Sequence, residues 1–228
     1  MRIIFVRHGH PNYEKDCLTD LGHRHAEAAA LRLKDEGVQE IFSSTCGRAM
    51  ETAQHLGELL HLPVTGLDFM REISWGPVDD RPLAEGGHPW SLVDQMIAAG
   101  ESLLEKDWAS REPFQRNKAV QCAQKVAGGL DDWLAALGYT REGLYYRAGQ
   151  VKNHTIAAFG HGGETAALLC HLFNLPFPFT CAVMGPDYTG ITIVDFPERP
   201  GELVTPRFEV MNDARHIKGL TVENYYGR

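Results

Sequence analysis

The chain has 228 residues, 43% apolar and 23% charged, with a formal net charge of −8. This is an ordinary globular composition, long enough for a sizeable core, and its acidity argues against general binding of nucleic acid or an anionic membrane surface. No run approaches the ~18 apolar residues of a membrane span. The five cysteines are scattered without a C-x-x-C pair and the N-terminus has no basic-then-apolar signal, so a cytoplasmic protein is expected.

Ile3-Ile4-Phe5-Val6 is a short apolar run, read as a buried strand over 2–6. Gly9 permits a tight turn after it. Parallel sheets present active groups at the carboxyl ends of strands, and Arg7 and His8 stand there. A guanidinium forks onto phosphoryl oxygens, and an imidazole either attacks phosphorus or moves a proton near neutral pH. Taken alone, the Arg-His pair reads as a surface charge beside a loop histidine. Three more loops, further along the chain, change that reading.

After a loop over 10–18, Thr19 is the expected N-cap of a helix reaching about Glu36 and stopped by Gly37. A second strand over 38–42 leads into Ser43-Ser44-Thr45-Cys46-Gly47-Arg48, then a helix over 48–61 ahead of Pro63. A weaker strand over 64–70 completes a β-α-β-α-β start. From about 77 to 150 the alternation stops. That stretch is expected to be a mainly helical insertion, with helices over 90–106 and 113–137, packed on the sheet of a single domain spanning 1–228. Its tryptophans Trp90, Trp108 and Trp133 are expected in the core. A strand over 155–159 comes next, then Gly160-His161-Gly162-Gly163 and a helix through about Phe173. Strands over 191–196 and 208–211 are expected as an antiparallel edge pair, joined by a hairpin loop over 197–201. The expected fold is a three-layer α/β/α sandwich with a mostly parallel sheet.

Four loops at strand ends thus carry Arg7 and His8, Arg48, Glu72, and His161. On one sheet edge they converge, and a glycine-flanked helix N-terminus favours an anion. Two arginines, two histidines and a glutamate suit a phosphoryl group: one attacks, several hold oxygens, and a carboxylic acid protonates the leaving oxygen. A metal site is the competing reading of eleven histidines. His23 and His25 lie at i and i+2 of a helix and diverge, His8 and His10 adjoin the proposed site, and no H-E-x-x-H occurs. No metal and no cofactor is expected.

RHGH at 7–10, LTDLGHRHA at 18–26, SSTCGRAMETA at 43–53, REISWG at 71–76 and GHGG at 160–163 resemble, in order, the motifs of the histidine phosphatase superfamily, the phosphoglycerate-mutase-like fold. The resemblance spans positions 1 to about 216. It implies His8 as a nucleophile that becomes phosphohistidine and Glu72 as proton donor. Arg7, Arg48 and His161 would form the phosphate pocket, with Gly162 and Asn12 as further phosphate contacts. It implies a phosphatase acting on a small phosphorylated metabolite without metal. A mutase or a non-catalytic phosphate-binding module of the same fold are the alternatives. The chain departs from the pattern at Glu14, where many members have Asn, and at Gly160, where many have Ser or Thr. It also lacks a Y-G-x-L-x-G-L-N-K stretch between 77 and 150.

Overall fold

The computed structural model describes residues 1–150 and 153–220. The single-domain expectation for 1–228 also takes in 151–152 and 221–228, which lie outside the described residues. In chain order the elements are β1 (Arg2–Arg7), β2 (Pro11–Asn12), β3 (Cys17–Leu18), α1 (Asp20–Leu33), β4 (Val38–Ser44), α2 (Gly47–Leu60) and β5 (Val64–Leu67). Then come α3 (Pro89–Ala98), α4 (Lys118–Ala136), β6 (Tyr139–Glu142), β7 (Tyr145–Ala148), β8 (Thr155–Gly160) and α5 (Gly162–Phe173). The last are α6 (Phe177–Val183), β9 (Ile191–Asp195), β10 (Leu203–Val204) and β11 (Arg207–Asp213).

The main sheet has six strands in the order β11-β9-β1-β8-β4-β5. β1, β8, β4 and β5 are mutually parallel, while β9 runs antiparallel to β1, and β11 to β9. Alternation along β1 explains why its sequence is apolar throughout. Ile3 and Phe5 enter one core with Met70, Leu130, Trp133 and Leu168. Ile4 and Val6 enter another with Ala30, Leu33, Ala53 and Leu56 of α1 and α2. A sheet covered on both faces buries both sets, and each fully buried Ile or Phe contributes about 1.5–3 kcal/mol. The result is the three-layer α/β/α arrangement. Among the described residues no helix is long and apolar enough to cross a membrane.

Local signals placed several boundaries. The Thr19 hydroxyl accepts from Gly22 N at 3.1 Å and caps α1. His61 takes a left-handed conformation at the end of α2. Other boundaries moved. β5 ends at Leu67, not near 70, because Asp68–Met70 turns as a 3-10 helix, with the Asp68 carboxylate accepting from Thr45 Oγ1 at 2.7 Å. α3 stops at Ala98, ahead of Gly100, instead of running to 106. α4 starts at Lys118 instead of 113, because Asn117 is pinned from outside the helix. Its Oδ1 accepts from Ala119 N at 3.1 Å and Gly76 N at 3.3 Å, and its Nδ2 donates to Gly87 O at 2.7 Å.

The insertion is not helical to its end. β6 and β7 form a hairpin, and β10, just past the loop expected over 197–201, pairs with β7 as a third strand. β9 lies inside the sheet between β1 and β11, so of that antiparallel pair β11 alone is an edge strand, opposite β5 at the other side of the sheet. Trp133 is buried, and Trp108 and Trp90 pack partly buried against the same core.

Candidate active site

The sheet register brings four strand ends to one edge: Arg7 pairs with Gly160, Ser43 with Phe159, and Ser44 with Leu67. The loops leaving this edge carry Arg7, His8, Arg48, Glu72 and His161. Arg7, His8, Arg48 and His161 are all buried, and Glu72 is partly so.

His8 leaves β1 with its backbone N–H donating to Gly160 O at 3.0 Å, which ties it to β8. Its Nδ1 lies 2.7 Å from the Gly9 carbonyl oxygen. A carbonyl only accepts, so Nδ1 carries the proton and Nε2 keeps its lone pair. Burial, then the neighbouring Arg7 charge, holds the His8 pKa well below the ordinary histidine value, so the ring is neutral at neutral pH. The His161 ring stands 5.2 Å away, centroid to centroid. Its Nε2 is 2.8 Å from Ser44 Oγ, its Nδ1 is buried without a hydrogen-bond partner, and burial followed by the positive neighbours lowers its pKa too. With the Ser44 hydroxyl donating to Nε2, Nδ1 carries the proton and is a donor for an oxyanion.

The two guanidiniums are held from outside their own loops. Arg7 Nη1 donates to Pro186 O at 2.8 Å, and the Arg7 guanidinium lies 4.4 Å from the centre of the Tyr188 ring. Arg48, at the start of α2, pairs with Asp16, whose other oxygen accepts from Gly47 N at 2.8 Å. The close approach needs glycine at 47, since a Cβ there would lie 2.1 Å from the Asp16 carbonyl oxygen. Tyr13 stacks by the same Arg48, 5.4 Å from its guanidinium carbon.

Glu72 Oε1 accepts from Ile73 N at 3.0 Å and from Glu164 N, in the first turn of α5, at 2.9 Å. Desolvation raises its pKa, against the pull of those N–H groups and of Arg7 and Arg48. Arg71 does not take this carboxylate; it donates to Thr45 Oγ1 at 3.1 Å. A cleft of about 300 Å³ opens from Arg7, Glu72 and Gly162 outward to Tyr13, Trp75, His88 and Trp90.

Gly162 begins α5 beside Arg7, with its Cβ direction 3.6 Å from the guanidinium carbon. Asn12 works within its own hairpin, its Oδ1 accepting from Lys15 N at 3.2 Å. The loop's contributions to the cluster are instead Tyr13 and Asp16. These two, with Ser44, Tyr188 and Glu164, were not expected from the sequence. Only Glu164 carried a local signal, three residues after a helix-capping position. Among the described residues no group of three or more His, Cys, Asp or Glu is placed to hold a metal ion.

Glu164 also explains Gly160. Its Oε2 accepts from His161 N at 3.1 Å, and a Cβ on Gly160 would meet that oxygen at 2.3 Å. The buried acid fills the space that a serine or threonine side chain would need. Fully buried, with its Oε1 unpartnered, Glu164 is pushed up to about 8 by desolvation. The folded state therefore keeps a proton that the unfolded chain loses near 4.5, so this group's contribution to stability is full below that pH and lost as pH rises through about 8. Glu164→Gln should keep the hydrogen bond to His161 N and remove the loss. The difference in unfolding free energy between the two proteins, from urea titrations, should grow in favour of the variant from about pH 5 to 9, to about 5 kcal/mol at most, at ~1.4 kcal/mol per pKa unit. A constant difference would mean that Glu164 ionises as in the unfolded chain.

The sequence pattern of the histidine phosphatase superfamily (branch 1) matches residues 3–208. A curated relative, named probable phosphoglycerate mutase GpmB, from Proteus mirabilis (strain HI4320), is 27% identical over 150 residues, covering 62% of this chain and 66% of that protein. The chain thus spans less than two thirds of that relative's length, and matches 43% of the same-named protein of Yersinia pestis (strain Pestoides F). Among solved structures, a mycobacterial glucosyl-3-phosphoglycerate phosphatase superposes with a TM-score of 0.62 at 25% identity, over 92% of this chain and 98% of that one. A phosphoserine phosphatase from Entamoeba histolytica, solved with 3-phosphoglyceric acid, shares the fold with a TM-score of 0.63 at 20% identity, over 95% of this chain and 98% of its own. The family match runs from β1 into β11, well over half the sequence, and the chain belongs to the histidine phosphatase superfamily, branch 1.

Proposed function

We propose that this protein is a phosphatase that hydrolyses a small phosphate monoester through a phosphohistidine on His8, without metal or cofactor. The observation that carries the reading is the His8 tautomer: Nδ1–H is held by Gly9 O at 2.7 Å, leaving an Nε2 lone pair among Arg7, Arg48 and His161. In the first step Nε2 attacks phosphorus as the ester P–O bond breaks. The departing oxygen takes the proton of the Glu72 carboxyl group, and the two guanidiniums and the His161 N–H hold the phosphoryl oxygens. In the second step water attacks the phosphohistidine and gives its proton to the Glu72 carboxylate. The N–P bond breaks, phosphate leaves, and both side chains are restored. A cytoplasmic site of action belongs to the same reading and rests on the scattered cysteines.

Release of phosphate from p-nitrophenyl phosphate in the presence of chelator tests the proposal. Catalytic turnover is expected, and none at all would leave a phosphate-binding module. The curated relative's name favours a second reading, a mutase. That reading predicts that phosphate reaches a second hydroxyl faster than it reaches water.

A further inference from the structure

Beyond the phosphate the cleft is built from rings. Trp75 is 41% exposed, a large indole left on the wall of the cavity that also holds Arg7 and Glu72. Its ring lies 5.0 Å from that of His88 at an interplanar angle of 82°, and His88 lies 5.5 Å from Trp90 at 39°. The three form one continuous aromatic row leading away from the phosphate residues. An exposed indole beside a concave site marks a contact surface more readily than a packing residue.

The row carries no positive charge. His88 caps α3 through Nδ1, which accepts from Ser91 N at 3.3 Å, so the neutral ring carries its proton on Nε2. Desolvation lowers the His88 pKa, keeping that ring uncharged at neutral pH. Among the described residues Arg7 is the one lysine or arginine lining the cleft, and it belongs to the phosphate. The insertion's Arg81 and Arg116 are both drawn to Asp79, at 2.7 Å each. A carboxylate in this cleft would lose its water without gaining a counter-charge, which is costly. A flat ring would instead stack on the indoles, and His88 Nε2–H offers it one hydrogen bond. At about 300 Å³ the cleft suits a phosphate joined to a small ring system.

We propose that the leaving-group side of the substrate is a flat, uncharged ring received by Trp75, His88 and Trp90, and not a carboxylate-bearing chain. This rests on the phosphatase reading above and narrows its substrate class. To keep leaving-group reactivity from deciding the outcome, the test uses primary alkyl esters only: 2-phenylethyl phosphate and its 4-acetyl derivative against O-phosphoserine and 3-phosphoglycerate. The ring esters should show kcat/KM at least about tenfold higher, expressed mainly in KM, as expected for a stacked aromatic contact. Trp75→Ala should raise KM for the ring esters about tenfold and leave inhibition by inorganic phosphate nearly unchanged, while Trp75→Phe should retain most of the preference. Equal or better turnover of the two carboxylates, or an unchanged ring-ester KM in Trp75→Ala, would overturn the ring proposal and leave the phosphatase standing. No phosphate release from any ester, p-nitrophenyl phosphate included, would overturn both.

Discussion

Replacing His8 by alanine should lower turnover of every ester by at least roughly 10³-fold, since removal of a covalent nucleophile leaves only the binding contribution of its neighbours. The fold should survive. The backbone bonds that fix this position, His8 N to Gly160 O at 3.0 Å and Thr189 N to His8 O at 3.3 Å, do not involve the side chain. Arg7, Arg48 and His161 remain, so inhibition by inorganic phosphate should change only a few-fold. A phosphoenzyme that is labile in acid and stable in base should be trapped by rapid quenching of the wild type with a ³²P-labelled ester and be missing from His8→Ala. Retention of full activity in a folded variant would end the proposal. Equal labelling of both proteins would move the nucleophile elsewhere.

Glu72→Gln should separate two kinds of substrate. An alkyl ester expels an alkoxide, a poor leaving group unless protonated as the bond breaks, and general acid help is typically worth about 10²–10⁴-fold. A nitrophenolate needs little of that help. Glutamine can still accept from Ile73 N and Glu164 N, now at 3.0 and 2.9 Å, so the position should be kept while the transferable proton is lost. The loss in kcat/KM should therefore be large for an alkyl phosphate and small for p-nitrophenyl phosphate. The role requires a protonated carboxyl when substrate binds, and desolvation already raises the Glu72 pKa in that direction. Were Glu72 only to position an arginine, both esters would lose alike, because phosphate binding is common to both. Equal losses, or a greater loss on the nitrophenyl ester, would rule out proton donation.

Much of the frame was legible because its signals are local. Thr19 caps α1 through its own hydroxyl, Gly37 turns with φ of 72° after that helix, and Ile3 to Val6 announce a strand covered on both sides. The hairpin from Tyr139 to Ala148 had its own pattern. Tyr139, Tyr146 and Ala148 are buried and Gly143-Leu144 turns between the strands, but each strand has only four residues and both fall in a stretch expected to be mainly helical. The start of α4 was misplaced for a different reason. Asn117 is held by Gly76 and Gly87, 41 and 30 residues earlier, and no window along the chain contains that bond.

The sequence by itself determined which chemical groups sit at the strand ends, because a parallel sheet sends every carboxyl end to the same edge whatever lies between. Arg7, His8, Arg48, Glu72 and His161 meet there for that reason. Only the tertiary structure decided their states. The His8 tautomer depends on the turn of one carbonyl, at Gly9. Arg48 is oriented by Asp16 and Arg7 by Pro186 and Tyr188, partners brought from 32, 179 and 181 positions away along the chain. Glu164 is a buried acid only because α5 sinks its first turn into the core beside Gly160. Protonation and orientation arise from desolvation and from distant hydrogen-bond partners, and both come into being when the layers close.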